Sequence, residues 1–391
     1  MRRSRTLLRL LGLLVACLVW ASLVAAKEQV HEVARGHSLW GIAKRYGVTV
    51  KALRDRNDLG DDDKIVPGQK LIIPDKGYKP GSKSKDERRD SERAPSHAKG
   101  FVATKPGQST QVQKSPGERG VNPCNTKDPG FGIYTHWMRG IPMGQFIMPE
   151  RGGLTSSGGF DVMFHFHGHE PVRKEWVQVM DGAVLVGVTL GTGSGPYETA
   201  FRGTHAFERL VQGVEKAVAE KAGRKSAHAR KIGVSGWSAG YGAVGQIINS
   251  AYGRQKVDSV VLLDGLHSGY QGASLNEAQL KPFIDFAQRA SRGERFMFVS
   301  HSSIIPPGYA STTETANFLI YKVGGKPRKT RPRAGDPMGL DLISRFSRND
   351  FHVRGYAGND TLDHCAHIGL FRDVLKVHIK RRWHSPKGRG K

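Results

Sequence analysis

The stretch "KIGVSGWSAGYGAVGQII", residues 231–248, restricts most severely what this chain can fold into. Ile232–Val234 reads as a buried strand, and from Tyr241 onward the apolar residues recur at helical spacing. Only Gly236-Trp237-Ser238-Ala239-Gly240 separates the two. So tight a passage requires a strained backbone at its apex, and bulk two residues to either side would strike the neighbouring strand and helix. Gly236 and Gly240 remove that bulk and leave Ser238 at the apex, where the helix start directs N–H groups and its dipole.

The rest of residues 121–384 agrees with such a passage. "FDVMFHFHG", "AVLVGVTLG", "KIGVSG", "SVVLLDG", "RFMFVSHS" and "FHVRGYAG" read as strands. Between them lie helix-like segments such as "AFERLVQGVEKAVAEKA", "AVGQIINSAYG" and "TTETANFLIYKV". Apolar strands alternating with amphipathic helices imply an α/β fold, a mostly parallel sheet covered by helices on both faces. "HIGLFRDVLKVHIKRRW" reads as a closing helix, and 385–391 as a basic tail.

Serine is a poor nucleophile until a base takes its proton, and the base needs an orienting carboxylate. With its G-x-S-x-G between strand and helix, the segment 121–384 resembles the α/β-hydrolase family, whose chain order is serine, acid, histidine. The resemblance implies a histidine after the last strand. His364 in "NDTLDHCAHIGLF" is preferred because it precedes the closing helix, while His367 falls in that helix's first turn. For the acid, Asp264 ends the strand "SVVLLDG", and Glu314 in "STTETANF" is the second candidate. The family's oxyanion hole pairs the N–H after the nucleophile, here Ala239, with one from a His-Gly loop, here Gly168 or His169.

That loop, "FHFHGHE" at 164–170, also admits a metal reading. His165, His167 and His169 alternate, and three ligands with an open position suffice for catalytic zinc. Lysostaphin-type zinc endopeptidases, which resemble it in their H-x-H strand, also need an upstream H-x-x-x-D pair. His136 is followed by "WMRGI", without that Asp. Neither a metal nor another cofactor is therefore expected, and the histidines are read as one oxyanion-loop residue with two packed or hydrogen-bonded neighbours.

Residues 31–74 form a separate small pattern of strand, helix, helix, strand. Leu39, Ile42, Ala43 and Tyr46 share a helix face, Thr49 can cap a second helix, and "PGQ" turns into the strand Leu71–Ile73. Through "VARGHSLWGIAKRYGV", "LRDRND" and "IVPGQKLIIP" it resembles a LysM module. LysM modules bind N-acetylglucosamine-containing glycans such as peptidoglycan or chitin. The groove they use corresponds to Gly36, His37, Ser38 and Leu39 facing Asp63, Lys64, Ile65, Val66 and Pro67.

Residues 1–26 read as a signal peptide, with Arg2, Arg3 and Arg5, an apolar run and a small-residue site ending at Ala26. "LVAC" also offers Cys17 as a lipoprotein-type anchor. Residues 75–120, rich in Lys, Arg, Ser, Pro and Gly, read as a disordered linker. With the leader removed, Cys124 and Cys365 remain, either as a disulfide or as two buried thiols. The net charge of +25 favours anionic envelope surfaces, and no nucleic-acid motif accompanies it. The expectation is an exported, envelope-associated serine hydrolase acting on an ester or amide, carried to glycan by its LysM module. Its rivals are a wall-binding protein with an inactive hydrolase-like domain and a zinc peptidoglycan hydrolase.

Overall fold

The computed structural model describes residues 29–33, 39–57, 59, 65–66, 68–75, 120, 122–272, 274–306, 308–330, 338–358 and 360–384. They fall into two compact units, divided near residue 97. The proposed leader, Cys17, the tail and nearly all of the linker lie outside the described residues.

In the first unit β1 (Val30–Glu32) pairs antiparallel with β2 (Lys70–Ile72), around helices Leu39–Tyr46 and Val50–Arg56. Thr49 caps the second helix by accepting the Ala52 N–H. Val33, Leu39, Ile42, Leu53 and Leu71 make the core, too few residues to hold the unit by burial alone. Asn57 supplies a further tie: its amide donates to the carbonyls of Leu53 and Ile72, and its Oδ1 accepts the Ile72 N–H at 2.7 Å. One side chain thereby extends the sheet and closes the helix.

The second unit is built on a nine-stranded sheet. Its strands are β3 (Gln145–Ile147), β4 (Gly159–Phe166), β5 (Ala183–Val188), β6 (His228–Trp237) and β7 (Val257–Leu263). After a small hairpin of β8 (Tyr270–Gln271) and β9 (Ser274–Leu275) come β10 (Phe296–Ser302), β11 (Arg328–Lys329), β12 (Asp341–Arg348) and β13 (Phe351–Ala357). The sheet order is β11-β12-β13-β10-β7-β6-β4-β5-β3. The six strands expected from sequence form its parallel centre, flanked by antiparallel β3 and β12. Successive residues alternate between two cores: Phe164 and Phe166 join one, Met163 the other. Helices 206–221, 241–249 and 277–291 pack in the first core, and 169–176 and 370–374 in the second.

Helical structure at the C-terminal end begins earlier than the pattern implied. It starts at Thr361, capped by Asp360, and runs through 3₁₀ and π turns to His384. His364 therefore lies inside the first helical segment, not ahead of it. The neighbouring Cys365 is disulfide-bonded to Cys124, which ties this segment to the start of the unit. No helix among the described residues is long and apolar enough to cross a membrane.

Replacing Asn57 by Ala removes three hydrogen bonds at about 1 kcal/mol each. The thermal transition of the first unit, followed in the full chain by calorimetry, is expected to fall by about 10 °C or more. An unchanged transition would mean that water replaces the amide without loss.

Candidate active site

Strands β4, β6 and β7 lie side by side, and each runs into a residue with left-handed backbone. These are His167 (φ 70°), Ser238 (φ 49°) and Asp264 (φ 42°). Among the described residues only one other non-glycine, Asn349, has positive φ. Such backbone costs about 1–3 kcal/mol per residue, and here the costs gather at one end of three adjoining strands. The turns also interlock. A Cβ on Gly240 would collide with the Phe166 carbonyl at the end of β4. One on Gly265 would lie 2.5 Å from the Ser238 carbonyl oxygen.

Asp264 and His364 meet directly, with the His364 Nδ1–H donating to Asp264 Oδ2 at 2.7 Å. The other oxygen, Oδ1, accepts the Ser302 N–H at 2.8 Å and the Thr312 hydroxyl at 2.6 Å. Burial pushes the Asp264 carboxyl up, but the field of His367 and the hydrogen bonds of His364 and Thr312 pull it well below the usual carboxylate range. The carboxylate is thus ionised, buried and fully engaged. With Nδ1 as the donor of this bond, Nε2 is the ring nitrogen not held by Asp264.

Trp237 joins His364 to the His-Gly loop. Its indole N–H donates to the His364 carbonyl at 3.1 Å, and its ring stacks on His167 at 5.1 Å. A Cβ on Gly168 would lie 2.8 Å from that ring. Gly168 and His169 lead helix 169–176, whose first N–H groups have no intrahelical partner.

The second candidates take other positions. His367 is fully buried and bonds the Ser300 hydroxyl through Nδ1, not the Asp264 carboxylate. Glu314 closes a capping box with Ser311 and accepts the Tyr270 hydroxyl, so it is occupied by its own helix. Neither makes a hydrogen bond to the other in the way His364 and Asp264 do.

The three histidines engage separate hydrogen-bond partners. His165 Nε2–H donates to the His167 carbonyl, and its Nδ1 accepts the Ser235 hydroxyl. His169 donates from Nδ1 to Thr189 and accepts the Gln145 amide on Nε2. His167 donates from Nδ1 to the Tyr197 hydroxyl. The left-handed turn at His167 breaks the alternation that would have brought the rings together. No group of three metal-ligating side chains occurs among the described residues. His165 is instead a buried strut that props the His167 carbonyl, a role no sequence pattern announced. Thr312, Ser302 and Trp237 were missed for the same reason: they act through contacts between distant segments.

Of the expected glycan-groove residues, Gly36, His37, Ser38, Asp63, Lys64 and Pro67 lie outside the described residues. Leu39 is 1% exposed and belongs to the core, so it offers no surface to a glycan. Ile65 packs partly against that core, while Val66 is exposed.

The small unit's order of strand, helix, helix, strand decides its family. Residues 31–74 match the LysM domain family. A probable endopeptidase p60 of Listeria grayi is 44% identical over 71 residues, 18% of this chain and 13% of that protein. SpoIVD-associated factor A of Bacillus subtilis is 42% identical over 50 residues, 12% of this chain and 13% of that protein. The chain thus spans only a small part of these relatives' length. The larger unit is α/β-hydrolase-like in its parallel sheet and flanking helices. Among solved structures it is similar to the acylaminoacyl peptidase of Pyrococcus horikoshii, at TM-score 0.37 and 12% identity over 65% of this chain and 42% of that one. It is also similar to a poly(3-hydroxybutyrate) depolymerase of Bordetella parapertussis, at TM-score 0.35 and 13% identity over 59% and 84%. Likeness at 12–13% identity says nothing about substrate.

Three histidines around this site are buried neutral: burial lowers His165 from 6.5 to about 3, and His301 and His367 to about 4. Between pH 6.5 and 4 the unfolded chain binds protons that the folded chain refuses. Stability is then full above pH 6.5 and falls as pH drops, by up to about 1.4 kcal/mol per pH unit for each histidine. Urea midpoints taken from pH 7 to pH 4 should decline accordingly; a flat profile would contradict neutral burial.

Proposed function

We propose that the larger unit is a serine hydrolase, an esterase or acyl hydrolase, that the LysM module carries to peptidoglycan or a related glycan. The observation that supports it most is the 2.7 Å hydrogen bond between His364 and a buried Asp264 carboxylate, beside a left-handed Ser238. In this reading Ser238 Oγ attacks the substrate carbonyl while His364 Nε2 takes its proton. Asp264 stabilises the imidazolium that results. The N–H of Ala239, together with that of Gly168 or His169, receives the negative charge on the former carbonyl oxygen. His364 then returns the proton to the leaving group, and water attacks the acyl-enzyme by the same route.

The chain is proposed to be exported through its N-terminal 26 residues, with residues 75–120 as a linker and 121–384 as the hydrolase domain. A flexible tether raises the enzyme's local concentration at a wall without any new contact. The charge of +25 adds attraction to anionic envelope polymers.

Fluorophosphonate labelling is expected for the native protein and absent in Ser238→Ala. Asp264→Asn should lower kcat about 10⁴-fold on any turned-over ester, because it releases the Nδ1 tautomer. A folded native protein that takes no label would sink the catalytic reading in favour of a scaffold role.

Deleting residues 31–74 should abolish retention on insoluble peptidoglycan at a salt concentration that screens charge. Retention unchanged by the deletion would place binding in the basic surface instead.

A further inference from the structure

His267 lies three residues beyond Asp264 and is not used by the mechanism above. Its neighbours on two sides belong to the candidate site or adjoin it. Gly265, two residues before it, presses on the Ser238 backbone. Tyr241, three residues after Ser238, meets its ring edge-on at 5.7 Å, and Tyr309 does so from another side at 4.9 Å. His267 also lies within the fields of both Asp264 and His364.

The tautomer of this ring follows from its one hydrogen bond. Nδ1 faces the Ala310 carbonyl at 3.0 Å, and a carbonyl only accepts, so Nδ1 carries the hydrogen. Burial pushes the imidazole's pKa down, which keeps it neutral. Nε2 is then a bare lone pair. It has no partner among the described residues, and the side chain is only half-buried. A fixed acceptor between two aromatic rings, to which none of the described residues donates, suits a ligand's hydrogen-bond donor. The cation of a lysine or arginine would also donate, but the chain's net charge of +25 disfavours a cationic ligand.

We propose that His267 is a specificity-determining residue of this site, its Nε2 accepting a hydrogen bond from a free hydroxyl near the scissile ester. The preferred substrates are then hydroxyl-bearing esters, such as partly acylated polyols or saccharides, over the same esters with that hydroxyl capped. The proposal rests on reading Ser238 as the nucleophile. A site arranged to bond a hydroxyl disfavours the analogue that cannot supply it, since the acceptor loses water and gains nothing.

The test compares glycerol monobutyrate with its di-O-methyl ether, and a pair of alkyl phosphonate probes bearing the same free or methylated hydroxyls. Native protein should favour the hydroxylated member of each pair by at least about tenfold in kcat/KM or labelling rate. His267→Asn keeps an amide where Nδ1 donates to Ala310 but removes the Nε2 acceptor; His267→Phe removes both. Both variants should lose the preference through slower reaction of the hydroxylated member, with the methylated member changed by less than about threefold. Equal reaction of both members in native protein, with labelling on Ser238, would overturn this proposal and leave the serine-hydrolase reading standing. No labelling by either phosphonate would overturn both. A preference that survives in His267→Asn would assign it to another group.

Discussion

The candidate site depends on one constraint: three neighbouring parallel strands each end in a residue whose backbone is left-handed. Non-glycine residues avoid that region, and a single instance is easily explained by a turn. Three at one edge mean that the sheet's end has been shaped to turn His167, Ser238 and Asp264 out of their strands at the same level. The cost is offset by how the turns lock into one another. Gly240 lies against the end of β4 and Gly265 against Ser238, so none of the three can relax independently. The wholly buried strands β4 and β7 beneath hold the frame rigid.

Electrostatics completes what the backbone begins. A buried carboxylate is expensive unless several donors meet it, and Asp264 has the Ser302 N–H, the Thr312 hydroxyl and His364. The Ser300 carbonyl accepts its backbone N–H as well. This satisfaction fixes both the charge and the direction of the His364 ring. Trp237, bonded to the His364 carbonyl and stacked on His167, makes His364 and the His-Gly loop share one wall. The disulfide at Cys365 ties down the helix beside it.

The parts legible in the sequence were those whose physics is local. Buried parallel strands must be apolar throughout, so the six central strands could be found by composition alone. Strand β12, "DLISRFSR", next to the sheet's edge, escaped because it is half-exposed and charged. Helix 277–291 was hidden by Pro282, which the helix tolerates near its first turns. The histidines of "FHFHGHE" allowed a second, metal-binding reading for a related reason. Alternation implies a common face only while the strand continues, and the strand stops at Phe166. Each ring then finds a different partner: Ser235, Tyr197 or Thr189.

The sequence by itself determined the α/β class, the small LysM module and the serine at the apex of a strand-to-helix turn. Those follow from hydrophobic period, glycine placement and short-range sterics, all readable along the chain. Tertiary structure alone pairs His364 with Asp264, sets His367 on Ser300 and Glu314 on its own helix cap, and gives each of the three histidines a separate partner. The physical reason is that a hydrogen bond of 2.7 Å joins residues 100 positions apart, and only the packing of the sheet brings them there.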